Sequence, residues 1–229
     1  QNPSDILLAR IKMSEQSFDE ISRITGVPIT MIYRHTQNKA PIDRQYAIMY
    51  AKYFGMDPSE ILFNAINKDG KIFFAGNGGS FADSQHLAAE FIGKLNVDRQ
   101  PLAAICLGAN LSSTTSIGND YGFEFIFTRE LIALASKIDV LLAISTSGES
   151  KNIINLLKTA KKLQLKTILL TGPNQFSSAA KLSDICINTP SLCKDTNSVQ
   201  QLHIAIGHYI CEITQKRYLK NIKKANKIQ

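Results

Sequence analysis

The sequence predicts an open α/β sandwich built on a parallel sheet and preceded by a small all-α unit, and three observations carry that expectation. Five short apolar runs, at 71–75, 102–107, 139–145, 166–170 and 185–188, are separated mostly by longer stretches of helical character. Continuous apolar strands alternating with helices belong to a parallel sheet covered on both faces. The first 62 residues, by contrast, show no strand-like alternation and break into short helices at turn signals. At 229 residues and 44% hydrophobic content the chain is long enough for one sizeable core plus a small appended module. The expected domains are 1–62 and 63–229.

In the front unit, Ser17-Phe18-Asp19-Glu20 has the Ser-x-x-Glu form of a capping box, in which serine and glutamate satisfy the first backbone donors of a helix reciprocally. Ile21 to Thr25 continue that helix and Gly26-Val27-Pro28 breaks it. Ile29 to Thr36 then form a second helix, its start tolerant of the proline before it. Pro41 opens a third region in which Tyr46, Met49, Tyr50 and Phe54 recur at helical spacing, closed by Gly55 and followed by Asp57-Pro58-Ser59-Glu60.

Composition narrows the function classes. Cys106, Cys186, Cys193 and Cys211 show no Cys-x-x-Cys spacing, no signal-peptide pattern opens the chain, and no apolar run approaches the roughly 18 to 20 residues that span a bilayer. A cytoplasmic protein without membrane contact is expected. The chain starts at Gln1, so its native start is not fixed by this sequence. The net charge of +7 is a C-terminal excess: residues 1–62 hold seven basic and seven acidic side chains, whereas Lys216, Arg217, Lys220, Lys223, Lys224 and Lys227 lie beyond the last acid, Glu212. A solvated, fraying tail accounts for that excess more simply than a binding patch.

Two loops carry the chemistry. The first strand runs into Gly76-Asn77-Gly78-Gly79-Ser80 and a helix, where backbone donors and the helix dipole can hold an anion. A dinucleotide fingerprint is excluded because Phe81 stands where its third glycine belongs and no acid closes the second strand; a Walker lysine and hydroxyl pair is missing too. The strand ending at Ile144 leads into Ser145-Thr146-Ser147-Gly148-Glu149-Ser150, again before a helix. Four hydroxyls in six residues make either a neutral phosphate cradle or an ordinary N-cap. His86 and Glu90, four apart, share one helix face. His208 lies among Ile204, Ile206 and Ile210, a setting that also suits a buried core histidine.

In order, Gly-Asn-Gly-Gly-Ser at 76–80, Gln85 to Glu90, Gly118-Asn119-Asp120-Tyr121-Gly122, Ser145 to Ser150, and Gln200 through His208 resemble the motifs of bacterial phosphoheptose isomerases, members of the sugar isomerase (SIS) domain superfamily with a flavodoxin-like fold. The resemblance covers roughly residues 65 to 215. It implies an aldose–ketose isomerase that converts sedoheptulose 7-phosphate to D-glycero-D-manno-heptose 7-phosphate through an enediol, for heptose and cell-surface glycan synthesis. It further implies a Zn²⁺ site of His86, Glu90, Gln200 and His208, with Glu90 and His208 as the catalytic base and acid. Asn77, Gly78, Gly79, Ser80, Asn119 and Asp120 would hold the sugar end, Ser145, Thr146, Ser147 and Ser150 the phosphate, and Glu90 and Gln200 would touch substrate as well as metal. An acid–base pair suits the enediol chemistry, although a tightly ligated Glu90 is a weaker base.

Geometry adds a condition. On one straight helix, Gln200 and His208 lie about 12 Å apart along the axis. Either that helix starts irregularly or the ligands come from different subunits, and the second option agrees with the family's tetramers. The chain departs from the family at Ser198-Val199-Gln200-Gln201, where Arg-Ile-Gln-Glu is common. It departs again at the front, which resembles the helix-turn-helix domain of phage-type repressors, with Ile29 to Thr36 as recognition helix. A sugar-phosphate-sensing transcriptional regulator is therefore the alternative. The zero net charge of 1–62 argues against tight DNA binding, and retention of acid, base and ligands argues for an enzyme.

Overall fold

The computed structural model describes residues 7–8, 11–12, 14–42, 46, 49, 57–193 and 195–225. Gln1, Tyr50, Phe54, Gly55, Lys227 and the side chain of Lys224 lie outside the described residues. The chain divides into two compact units, 1–57 and 58–229.

In the first unit, helices α1 (Phe18–Thr25) and α2 (Ile29–Thr36) are joined by three residues. The capping box forms: the Ser17 N–H donates to Glu20 Oε2 at 2.9 Å and the Glu20 N–H to Ser17 Oγ at 3.2 Å. Gly26, at φ +75°, ends α1 in the left-handed conformation that glycine adopts at no steric cost. Leu7, Ile11, Ile21, Val27 and Ile32 form a small core of their own.

The second unit opens with α3 (Pro58–Ile66) and continues β1 (Ile72–Gly76), α4 (Gly79–Ile92), β2 (Ala104–Cys106), α5 (Leu111–Tyr121), α6 (Ile126–Leu134), β3 (Val140–Ser145), α7 (Lys151–Lys162), β4 (Lys166–Thr171), β5 (Ile185–Asn188) and α8 (Thr196–Ala225). The boundary falls at Pro58 rather than at 63, because α3 is whole and packs on α8: Asn221 Nδ2 donates to Asn67 Oδ1 at 2.7 Å and Arg217 pairs with Glu60 at 3.6 Å. The basic C-terminal residues differ from a frayed tail in the same way. Lys216, Arg217, Lys220 and Lys223 ride on α8, and Lys216 pairs with Glu212 at 2.6 Å.

All strand pairs are parallel, in the order β2-β1-β3-β4-β5. Alternate residues face opposite layers: Ile72, Phe74, Leu142, Ile144 and Leu170 meet α3, α4 and α8, while Phe73, Ala75, Leu141, Ala143 and Leu169 meet α6 and α7. Both faces are covered, which is why the strands read as unbroken apolar runs. The order reverses between β1 and β3, so the crevice for a ligand opens beyond the carboxyl ends of those two strands. The glycine loop follows β1 and the serine loop follows β3.

Candidate active site

Helices α4 and α8 lie side by side, their contacts stepping along both in the same direction. A Cβ at Gly79 would run into the amide of Gln200; a Cβ at Gly207 would sit 2.5 Å from Leu87 Cδ1. His86 Nε2 lies 2.8 Å from His208 Nε2, and the Glu90 carbonyl accepts from Gln215 Nε2 at 3.1 Å. Gly207 is what lets the helices approach closely, because Leu87 is fully buried and has nowhere to retreat.

At this seam three groups converge. Glu90 Oε1 is 3.3 Å from His86 Nε2 and 3.9 Å from His208 Nε2, and ligand atoms of the trio all lie within 4.8 Å of one another. Imidazole nitrogens 2.8 Å apart require either one shared N–H or a common cation. Two ligands on a tetrahedral zinc stand about 3.3 Å apart. Two imidazoles and a carboxylate suit such an ion after a small opening of the pair. One turn before His86, Asp83 has a buried carboxylate oxygen, Oδ2, without a hydrogen-bond partner among the described residues. Burial raises its pKa, opposed by the two histidines.

Gln200 lies within the regular part of α8, so no irregular start brings it toward His208. About 12 Å of helix rise separates the two. On its own chain Gln200 stands at the glycine loop, beside Gly79.

The glycine loop is tied down from β3's side. Asn77 Nδ2 donates to Asn152 Oδ1 at 2.9 Å, and Asn152 Nδ2 returns the bond to Asn77 Oδ1 at 2.8 Å. Gly78 is exposed with open space where a Cβ would go, and Ser80 is buried in the first turn of α4. In the serine loop Ser145 is buried and accepts the Gly148 N–H at 3.1 Å, while Ser147 accepts the Glu149 N–H at 3.1 Å. Gly148 has φ +68°, and a Cβ there would collide with Ser177. Ser150 caps α7 without a side-chain hydrogen bond. A cavity of about 310 Å³ lies against the loop, lined by Thr146, Ser147, Pro173, Cys193, Asp195 and Thr196 among others. Its charge is acidic: hydrogen bonds from Ser198 hold the Asp195 carboxyl below the usual range. A cation would be expected beside a phosphate, and Ser198 occupies the position where the arginine of the family pattern would supply one.

Asn119 and Asp120 are not drawn into this seam. They bond to each other at 2.7 Å on the exposed last turn of α5. His203, fully buried in α8, stands outside the trio, and burial lowers its pKa. Burial pushes the Cys106 thiol up to about 12 and the Cys186 thiol up to about 11, which argues against thiolate chemistry at those two residues. Sequence reasoning missed Asp83, Asn152, Gly207 and Gln215. Only Gly207, a glycine inside a helical pattern, carried a signal of its own.

Residues 57–172 match the SIS domain family. A phosphoheptose isomerase of a Nitratiruptor species is 43% identical over 163 residues, covering 70% of this chain and 84% of that protein. One from Aliarcobacter butzleri is 45% identical over 156 residues, covering 68% and 80%. Among solved structures, a phosphoheptose isomerase from Neisseria gonorrhoeae superposes with TM-score 0.64 at 38% identity over 74% of this chain and 91% of that one. One from Francisella tularensis superposes with TM-score 0.66 at 31% identity, over 70% and 84%.

Proposed function

The chain belongs to the SIS domain family, and from that premise we propose that it is a phosphoheptose isomerase interconverting sedoheptulose 7-phosphate and D-glycero-D-manno-heptose 7-phosphate. The observation that carries the reading is the convergence of His86, Glu90 and His208 on the α4–α8 seam, two to three turns along α4 from the glycine loop. The reaction moves a hydrogen from C1 to C2. A base takes a C1 proton while the C2 carbonyl oxygen is protonated, and the enediol then regains a proton at C2 while the O1 hydroxyl gives up its own. Glu90 takes and returns the carbon proton, and His208 gives and takes the oxygen protons. Zn²⁺, were it held by His86, Glu90 and His208, would supply polarisation of the substrate oxygens in place of the proton that a metal-free His208 gives.

The serine loop takes the phosphate through the hydroxyls of Thr146, Ser147 and Ser150 and the first-turn amides of α7, with Ser145 shaping the loop beneath. Asn77, Gly78, Gly79 and Ser80 border the sugar. Gln200 stands beside Gly79 on the same chain, so the glycine loop, Gln200, Asn119 and Asp120 would act together on a substrate, or Gln200 on a metal, met by the trio of a neighbouring subunit of a homo-oligomer, most simply a tetramer. Exposed Leu111, Tyr121, Phe123, Phe125 and Ile132 on the α5–α6 layer offer the apolar surface such an assembly needs. The enzyme works in the cytoplasm; no helix among the described residues is long and apolar enough to cross a membrane.

Residues 1–57 are read as a helix-turn-helix module. The three-residue turn at Gly26 and the exposed face of α2 at Thr30, Tyr33, Arg34 and Gln37 favour this. The module leaves a sugar-phosphate-responsive regulator as second reading. Incubation with sedoheptulose 7-phosphate in deuterated water is the test. Appearance of the aldose supports the enzyme, with deuterium at C2 measuring how far the proton on Glu90 exchanges with solvent; no turnover together with tight binding to a specific DNA operator supports the regulator.

A further inference from the structure

The backbone of Glu90 is held from behind, and the groups that hold it belong to no substrate or metal contact. Glu90 lies in the last turn of α4, where carbonyls have no partner within the helix. Arg99, in the loop leading to β2, reaches back to this end. Its Nη2 donates to the Glu90 carbonyl at 2.7 Å and its Nη1 to the Phe91 carbonyl at 2.9 Å and the Gln100 carbonyl at 3.0 Å. Its Nε donates to Gln215 Oε1 at 3.3 Å, and Gln215 Nε2 donates in turn to the Glu90 carbonyl at 3.1 Å. One peptide oxygen thus accepts from both α8 and the loop. The guanidinium is half-buried and makes no ion pair with a carboxylate among the described residues. The last turn of α4 has no basic residue of its own, so Arg99 also supplies the positive charge that a helix C-terminus favours.

Gln215 follows His208 by seven residues, two turns along the same face of α8. The helix that carries His208 therefore also grips the main chain of Glu90, and Arg99 locks that grip. We propose that Arg99 and Gln215 are positioning residues that set Glu90 against His208 through the Glu90 carbonyl. A planar fork bound to two successive carbonyls and a side-chain amide fixes direction in a way that a lysine's single ammonium does not.

This inference rests on the acid–base reading of Glu90, and the experiment separates the two. Arg99→Met, Arg99→Lys, Gln215→Leu and Glu90→Gln are made in the full-length protein, alone and combined. The readouts are kcat and KM for sedoheptulose 7-phosphate, Zn²⁺ affinity by chelator competition, and thermal unfolding. A misplacement on the order of 1 Å costs about 10²-fold. Arg99→Met is therefore expected to lower kcat by about that factor with KM little changed, Arg99→Lys to recover part of the loss, and Gln215→Leu to fall between. Zn²⁺ affinity should weaken alongside kcat. In the Glu90→Gln background the same substitutions should cost nothing further in kcat or Zn²⁺ affinity, because residues acting through one another are not additive. Equal losses in both backgrounds overturn the proposal, as does unchanged kcat. If Arg99→Met does not fold, Arg99→Lys and Gln215→Leu carry the same comparison. Should Glu90→Gln itself retain full turnover, the acid–base reading fails instead.

Discussion

Gly207→Ala tests whether the close approach of α4 and α8 sets the spacing of His86, Glu90 and His208. The added methyl would sit 2.5 Å from Leu87 Cδ1 and 2.8 Å from its Cδ2. Carbon atoms rest about 3.5–4.0 Å apart, so the helices must part by about 1 Å or Leu87 must leave its rotamer. Leu87 is fully buried among Phe74, Phe91 and Ile210, which favours parting. Overpacking of this kind costs about 1–3 kcal/mol, and the helix gains back about 1 kcal/mol from replacing an interior glycine by alanine. Net destabilisation is then about 0–2 kcal/mol, small enough for the protein to remain folded. The 2.8 Å contact between the histidines would open by the same ångström, and kcat should fall by about 10²-fold. Thermal unfolding and steady-state turnover on sedoheptulose 7-phosphate measure the two effects side by side. Adding Leu87→Ala makes room for the methyl and should restore much of the turnover at some cost in stability. Turnover of Gly207→Ala within about threefold of the original protein would refute the idea that this seam sets the catalytic spacing.

Glu90→Gln and His208→Ala should each lower kcat by about 10² to 10⁴ without unfolding the protein, since each removes a positioned acid or base. Ser147→Ala removes one hydroxyl from a shared cradle, worth about 1 kcal/mol, and should appear as a severalfold rise in KM. Burial lowers the pKa of His203 below its ordinary value of 6.5, so the unfolded chain takes up its proton first as the solution is acidified. The folded state should lose stability as pH falls below about 6.5, by at most about 1.4 kcal/mol per pH unit from this group. His203→Leu should flatten that part of a chemical-denaturation series while leaving more activity than His208→Ala. Sedimentation should give a homo-oligomer in the active fractions; an active, zinc-loaded monomer would count against subunit-boundary sites.

The fold was legible because its signals are local and repeated. Runs such as 140–144 and 168–170 are apolar on both faces, as a doubly covered parallel strand requires. The capping box at Ser17 and the break at Gly26 were readable for the same reason, each being set by a few adjacent residues. The first turn of α3 was misassigned because Asp57-Pro58-Ser59-Glu60 starts a helix in either domain; what places it is packing on α8, some 150 residues later. Of the site, His86 and Glu90 shared a helical period, but their meeting with His208 depends on how two helices pack. Asn152 is a buried amide whose partner lies 75 residues away, and no spacing rule reaches that far. Arg99 and Gln215 act on main-chain oxygens, which leave no side-chain pattern to read.

The trio is open to solvent on one side, and this is where the proposed assembly would bear on the chemistry. The side chains of His86 and His208 are 53% and 39% exposed, whereas that of Glu90 is 15% exposed. A base that removes a carbon proton works best where water is excluded, because charge–charge and charge–dipole interactions are stronger there and the enediol is shielded from solvent protons. Glu90 already has that shelter from the α4–α8 seam; the histidines have it only on one side. Substrate alone would cover part of the opening. On the same chain, Gln200 stands about 12 Å of helix rise short of His208, and Asn119 and Asp120 face solvent on α5. A second copy presenting either group over the histidines would supply both the missing cover and the missing polar contacts. The proposed subunit-boundary site would thus complete the seam on which the proposed acid and base meet.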